Sequence, residues 1–378
     1  MKTFDVYPLL DVEPVKANGC WLWDKNGNKY LDLYGGHAVI SIGHSHPYYI
    51  RMMEDQLEKI GFYSNSVRIP LQHELAEKLG ALSGYNDYNL FLCNSGAEAN
   101  ENALKLASFH NGRKKIISFS KSFHGRTSLA VASTDNKSIV APVNETENIL
   151  FLPFNDESAL EKAMNETICA VIVEGMQGVG GVNIPSDDFL RKAKSLCSTH
   201  NAVLILDEVQ SGYGRSGKFF SHQFSGIKPD LITTAKGMGN GFPIGGMLIS
   251  PKFTAKHHQL GTTFGGNHLA CVAGIAVLDV IKNEKLMINA KGIGDYMIST
   301  LKKITGVKEV RGKGLMIGVE LDFPCEQIRN ELIFTHKIFT GSSSNKNTIR
   351  LLPPLTLSKE EAEIFLHAFA SVMKKKGA

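Results

Sequence analysis

Three places in the chain put reactive or charged side chains where an enzyme would need them. Lys236 follows the apolar run LITTA (231–235), with glycines crowded behind it in GMGNGFPIGG. An amine in that setting can be desolvated, with a lowered pKa and nucleophilic character; the ordinary alternative is a solvated surface lysine. Asp207 ends the run AVLIL (202–206). A carboxylate there must be paired or exposed at the strand end. One productive partner is a protonated ring nitrogen, and the alternative is a structural cap or salt bridge. Asn94-Ser95-Gly96-Ala97 follows NLFLC (89–93) and leads into a helix-like stretch. Gly96 allows close backbone approach, and free N–H groups at a helix start can hold a phosphate; an ordinary capped turn has the same appearance. A phosphate cradle, a buried carboxylate and a nucleophilic lysine together fit pyridoxal 5′-phosphate (PLP) far better than any one of them does.

The elements that must position these groups are legible as alternating patterns. Apolar runs recur at 89–93, 115–119, 170–174, 202–207, 231–235 and 245–250, with helix-like stretches such as 99–110 and 186–200 between most of them. That alternation implies an α/β fold whose mostly parallel sheet is flanked by helices. Such sheets bind ligands at the carboxyl ends of their strands, where Asn94, Asp207 and Lys236 all fall. Asp207 and Lys236 are 29 residues apart, about one strand-to-strand crossover, so they can share a cleft. Toward the N-terminus, GCWLWD and KYLDLY flank an Asn-Gly turn and read as a hairpin. A helical pattern starts near residue 48. After residue 265, the apolar helix LACVAGIAVLDVIKNE precedes KEVRGKGLMIGVEL, expected as antiparallel strands. The last element, SKEEAEIFLHAFASVMKKK, is an amphipathic helix with Ser358 as N-cap and Glu361 three residues on. The expected organisation is an N-terminal segment (1–47) packing with a small domain, a large cofactor-binding domain (48–265), and a smaller α+β domain (266–378).

Bulk composition excludes several classes. The chain has 378 residues, 43% hydrophobic and 21% charged, with a net charge of +4, which is ordinary for a globular protein and carries no nucleic-acid signature. The one basic run, Lys374 to Lys376, reads as a solvated helix end. None of the six cysteines forms a C-x-x-C pair; buried, reduced thiols are expected. No stretch of 18 apolar residues would span a membrane. The N-terminal MKTFDVYPLLDVEP has acids and a proline where a signal peptide has an apolar core, so the expected location is cytoplasmic.

The motifs NSGAEANENALKLA, SFHGRTSLA, LDEVQSGYGRSGKFF, AKGMGNGFPIGG, GTTFGGN and RLLPPLTLS, in that order, closely resemble the class III, or ω-, aminotransferases of fold type I, over nearly the whole chain. Within that class, FHGRT, RLLPPL and the modest length are most similar to the acetylornithine and succinylornithine aminotransferases. The resemblance implies that Lys236 holds PLP covalently. Asp207 would bond the ring nitrogen, Gln210 the ring oxygen, and Phe123 would stack on the ring, with Glu174 and Val209 also beside the cofactor. Ser95, Gly96 and Ala97 would hold the phosphate, with Thr263 reaching it from a second subunit, so a homodimer with shared sites is implied. Arg126 and Arg350 would bind substrate carboxylates through planar bidentate forks, with Thr262 nearby. The implied reaction moves the terminal amine of an N-acetyl- or N-succinyl-ornithine to 2-oxoglutarate in arginine biosynthesis.

Two departures bear on specificity. The family's VEP-I-Q-G-E-G-G reads VEGMQGVGG here, so Val179 replaces a glutamate that the resemblance pairs with the arginine matching Arg350. Arg350 is then expected to be unmasked in both half-reactions. His37 stands where relatives carry an apolar residue or tyrosine, and a histidine there could donate to an extra carboxylate. Together these favour N-succinylornithine, unless His37 merely packs or bonds backbone. His44-Ser45-His46 lacks an obvious third ligand, so no metal is expected; His268, where proline is common, is given no role. Other readings are a nucleotide-binding oxidoreductase, which would need a G-x-G-x-x-G that is missing after the first strand, and a non-catalytic PLP-binding protein. Ornithine δ-aminotransferase, 4-aminobutyrate aminotransferase or an aminomutase also stay open.

Overall fold

The apolar runs form the middle of the molecule, with short sheets on either side of them in sequence. The computed structural model describes residues 1–375. Strands β1 (Pro14–Asn18), β2 (Trp21–Asp24) and β3 (Lys29–Asp32) come first. The β2–β3 hairpin closes through Asp24, whose Oδ1 accepts from the backbone N–H groups of Asn26 (2.9 Å) and Asn28 (2.8 Å). Gly27 takes the left-handed conformation the turn requires, at φ 81°.

The central sheet contains β4 (Asn89–Cys93), β5 (Lys115–Phe119), β6 (Ile149–Leu152), β7 (Ile168–Glu174), β8 (Val203–Asp207), β9 (Leu231–Thr234) and β10 (Gly245–Ile249). Their spatial order is β4-β10-β9-β8-β7-β5-β6. β10 pairs antiparallel with β4 and β9, and the other pairs are parallel. Every residue of β7, β8 and β9 is buried, because both sheet faces are covered. Val171, Val173, Leu204 and Leu206 pack with Phe189 and Leu190 of helix Asp187–Thr199. The alternate residues Ala170, Ile172, Val203 and Ile205 pack with Ala103, Leu104 and Ala107 of helix Gly96–Asn111. The two-residue period of a strand thus sorts one continuous apolar run onto two faces.

After helix His268–Asn283, strands β11 (Val307–Lys313), β12 (Met316–Leu321) and β14 (Thr348–Leu351) form an antiparallel sheet. The short β13 (Ile338–Phe339) leaves this region and pairs in parallel with β3. The last helix, Lys359–Lys375, starts with the expected capping box: Ser358 Oγ accepts from the N–H of Glu361 (3.1 Å), and Glu361 Oε2 accepts from the N–H of Ser358 (2.9 Å). Of the basic run, Lys375 pairs with Glu331 at 2.9 Å, and Lys376 lies outside the described residues. All six cysteines are buried and free. Among the described residues no helix is long and apolar enough to cross a membrane.

Candidate active site

The ends of three neighbouring parallel strands converge. Register places Glu174 beside Asp207 and Asp207 beside Thr233, and Lys236 follows three residues later. Together with the turns after β4 and β5 they line a cavity of about 390 Å³ at the carboxyl edge of the sheet. Ser95, Gly96, Ala97, Phe123 and Arg126 contribute to its wall from those two turns, and Glu174, Asp207, Val209, Gln210 and Lys236 from the other three strand ends. The juxtaposition of Asp207 and Lys236 inferred from their spacing is therefore present.

Asp207 is buried, 4% exposed. Its Oδ2 accepts from Asn100 Nδ2 (2.7 Å) and His124 Nδ1 (2.8 Å), and its Oδ1 from the backbone N–H of Val209 (3.0 Å). A carboxylate offers about four acceptor sites, so one is left on a side chain that faces the cavity, which suits a single protonated ring nitrogen. Asn100 ties this carboxylate to the sheet, since its Oδ1 accepts from Thr233 Oγ1 at 2.6 Å and its Nδ2 also donates to the carbonyl of His124. Asn100 and His124 were not among the residues expected from sequence. The signal for them is the donor requirement itself: a buried carboxylate needs buried donors.

Lys236 sits in a left-handed backbone conformation, φ 45°, a strain that functional sites store. Its amine makes no ion pair among the described residues. Burial depresses its pKa below the ordinary lysine value. The charges of Asp207 and Glu174 oppose that shift, and Arg350 adds to it. The net shift is in the direction of a more nucleophilic amine. Glu174 accepts from the backbone N–H groups of Phe123 and Gly178, both at 3.0 Å. Burial pushes its pKa up to about 7, with Asp207 adding to the rise and His124 opposing it.

The phosphate cradle also fits. Helix Gly96–Asn111 begins at the cavity, capped by Ser95, whose Oγ accepts from the N–H of Glu98 at 3.2 Å. The Ser95 hydroxyl thus serves the helix as well, leaving the Gly96 and Ala97 N–H groups to meet an anion. A Cβ on Gly96 would lie 2.5 Å from Val209 Cγ1, so only glycine lets the β8 turn approach.

Other expected residues stand off the cavity. Gln210 donates to the His37 carbonyl (3.1 Å) and accepts from Arg350 (3.3 Å), which puts His37 and Arg350 one hydrogen bond behind the wall. Thr262 Oγ1 accepts from Asn94 Nδ2 (3.3 Å) and the N–H of Gly265 (3.1 Å), and neither Thr262 nor Thr263 is part of the cavity wall. His44 and His46 bond different carboxylates, Asp32 (2.8 Å) and Glu284 (2.9 Å). His268 opens its helix with a buried Nδ1 that has no hydrogen-bond partner among the described residues.

The chain resembles known proteins over nearly its whole length. The family model described as aminotransferase class-III matches residues 5–373. The chain is 40% identical to the acetylornithine aminotransferase of Nitrosomonas europaea, covering 95% of this chain and 94% of that protein. It is 41% identical to that of Bacillus subtilis, with the same coverage. Among solved structures, the ornithine aminotransferase of Toxoplasma gondii, crystallized with oxidized glutathione and showing partial occupancy of PLP at its active site, superimposes with a TM-score of 0.91 at 28% identity, covering 99% of this chain and 94% of that one.

Proposed function

The chain belongs to the class-III aminotransferases, and from that premise we propose that it transfers the terminal amino group of an N-acylated ornithine to 2-oxoglutarate. The products are an N-acyl-glutamate 5-semialdehyde and glutamate, a step of arginine biosynthesis. The fold is that of fold type I, and the cofactor is PLP. The observation that carries the reading is that Lys236, the partly satisfied carboxylate of Asp207 and the start of helix Gly96–Asn111 line one cavity. The acylornithine substrate rests on the names of the relatives at about 40% identity.

When bound, the cofactor supplies an electron sink for the charge left when a C–H bond at the amine-bearing carbon breaks. Lys236 Nζ would hold the cofactor and, when free of it, would take the proton from the substrate's δ-carbon and return it as an acid. Asp207 would keep the cofactor's ring nitrogen protonated. Gly96 and Ala97 would hold the phosphate, with Thr263 of a second copy completing that grip in a homodimer. Phe123 and Val209, which line the cavity, would contact the ring. Arg126 lines the cavity with no ion pair among the described residues, and is placed to take a substrate carboxylate. Arg350, behind the wall at Gln210, would take the other carboxylate of 2-oxoglutarate once its hydrogen bonds to Gln210 and Tyr34 are exchanged for it.

The acyl group is argued from Arg126 and Arg350 together. Two guanidiniums without carboxylate partners among the described residues match a donor with two carboxylates, which favours N-succinylornithine over N-acetylornithine. Steady-state glutamate formation tests both levels. An acylated ornithine is expected to exceed free ornithine and 4-aminobutyrate in kcat/KM by at least about tenfold, a difference of ~1.4 kcal/mol; preference for either unacylated amine would remove the assignment. His37→Ile is expected to weaken the succinyl substrate more than the acetyl one, and equal effects would remove the succinyl preference.

A further inference from the structure

The turn that carries Lys236 is gripped by a distant N-terminal segment. Lys236 (φ 45°) and Asn240 (φ 48°) both take the left-handed backbone conformation, which asparagine tolerates and lysine keeps only where its surroundings impose it. Within the turn, the N–H of Gly239 donates to the Lys236 carbonyl (3.0 Å) and that of Met238 to the Ala235 carbonyl (2.9 Å). Those bonds close the turn and leave its placement against the cavity to contacts from outside.

The contacts come from residues 41–43. Ser41 Oγ donates to the Gly237 carbonyl at 2.7 Å. Asn240 Oδ1 accepts from the N–H groups of Ser41 (2.8 Å) and Ile42 (3.1 Å), and its Nδ2 donates to the Gly43 carbonyl (2.9 Å). One carboxamide thus pairs three backbone groups of a segment that lies in no strand. Ser41 and Asn240 are 1% and 8% exposed, so these groups are shielded from solvent and depend on one another. A Cβ on Gly237 would lie 3.3 Å from that of Ser41, which shows how closely turn and segment approach. Tyr49 adds a hold of its own, its hydroxyl donating to the Gly239 carbonyl at 2.9 Å.

The gripping segment is itself anchored on its other side. The Ser41 carbonyl accepts from the N–H of Leu355 (2.7 Å), just beyond β14. The Ile40 carbonyl accepts from Arg215 Nη2 (3.5 Å), and Nη1 of that buried guanidinium donates to the carbonyls of Leu315 (3.1 Å) and Pro353. Ser41 therefore joins the lysine turn to the C-terminal part of the fold, with each of its polar groups on a different partner.

We propose that Ser41 and Asn240 are positioning residues for Lys236: through them the anchored segment 40–43 holds the left-handed turn so that the lysine amine meets the cofactor's aldehyde and, later, the substrate carbon. Neither side chain is part of the cavity wall, so both act through Lys236, where a small misplacement of the reacting atom is costly. The proposal rests on the transaminase reading, in that Lys236 carries the cofactor, and not on which amine is the donor.

Attachment condenses the lysine amine with the aldehyde and releases water. Its rate is read by adding PLP to the cofactor-free protein, reducing the C=N bond with borohydride at set times and weighing the Lys236 peptide by mass spectrometry. Ser41→Ala deletes one oxygen and leaves the buried N–H groups paired. It is expected to slow attachment by about threefold to tenfold, with total cofactor bound at equilibrium within about twofold of the unaltered enzyme. Asn240→Ala is expected to slow attachment by about tenfold or more and to speed hydrogen exchange at the Ser41 and Ile42 amides. In turnover by the cofactor-loaded enzyme, kcat is expected to fall in step with attachment while the KM for 2-oxoglutarate stays within about twofold. Melting temperature verifies folding, and Ser41→Ala alone decides the matter where Asn240→Ala does not fold. An unchanged attachment rate in Ser41→Ala, or a loss expressed in KM with kcat unchanged, overturns the proposal. An unaltered enzyme that binds PLP without attaching it to Lys236 would remove the transaminase reading and the proposal with it, a failure distinct from unchanged attachment in the variant.

Discussion

Asp207 and Lys236 illustrate what single residues disclose. A charged side chain directly after an apolar run is costly unless it works or is paired, and both positions proved to face one cavity. The partners were less visible. Asn100 lies on a buried helix face and His124 in a turn, and buried amides and imidazoles are ordinary until the carboxylate they serve is located. Asp207→Asn removes the negative charge and one acceptor from this cluster. The expected loss in kcat is about 10²-fold or more, with cofactor still bound; a loss confined to KM would contradict the assigned role. Glu174 yields a pH prediction. Its pKa rises from the ordinary 4.5 to about 7. Between those values the folded chain keeps a proton that the unfolded chain has released, so this contribution to stability is full below pH 4.5 and lost as pH rises through about 7. Glu174→Gln is expected to flatten the melting temperature of the cofactor-free protein against pH across that window, and an unchanged slope would show that Glu174 ionises normally.

At the scale of elements, the strands of the central sheet were readable because burial on both faces makes them continuous apolar runs. The exception is β6, a four-residue edge strand whose apolar run ILFL was not among those expected and whose Leu150 and Phe151 are exposed. The two-residue β13 is too short for periodicity to register. The turn at Gly96 couples two elements, because helix Gly96–Asn111 approaches the Val209 side chain at the end of β8. Gly96→Ala is expected to displace the helix start and weaken cofactor retention in dialysis by about tenfold. Adding Val209→Ala removes the colliding methyls and is expected to restore most of it. Failure of the double variant to recover would mean that the glycine is needed for something other than this close approach.

At the scale of the whole molecule, sequence order conveyed the layered α/β architecture, whereas the return of β13 to the N-terminal sheet depends on pairing across some 300 residues, which no local pattern encodes. A homodimer with shared sites is part of the proposed function. Phe62 and Phe264 are exposed at 42% and 60% and touch each other, ring centroids 5.2 Å apart, next to Thr263. Phe264→Asp is expected to shift sedimentation from dimer to monomer and to lower cofactor affinity in parallel; a dimer that persists with full cofactor affinity would place the interface elsewhere. The most direct measurement of the account as a whole is a single-turnover absorbance titration of the cofactor-loaded enzyme with N-acetyl-L-ornithine, N-succinyl-L-ornithine and free ornithine, without 2-oxoglutarate. An acylated ornithine is expected to abolish the long-wavelength absorbance of the lysine-bound cofactor stoichiometrically, with the succinyl compound acting at lower concentration. Absorbance unchanged by any acylated ornithine would contradict the proposed function.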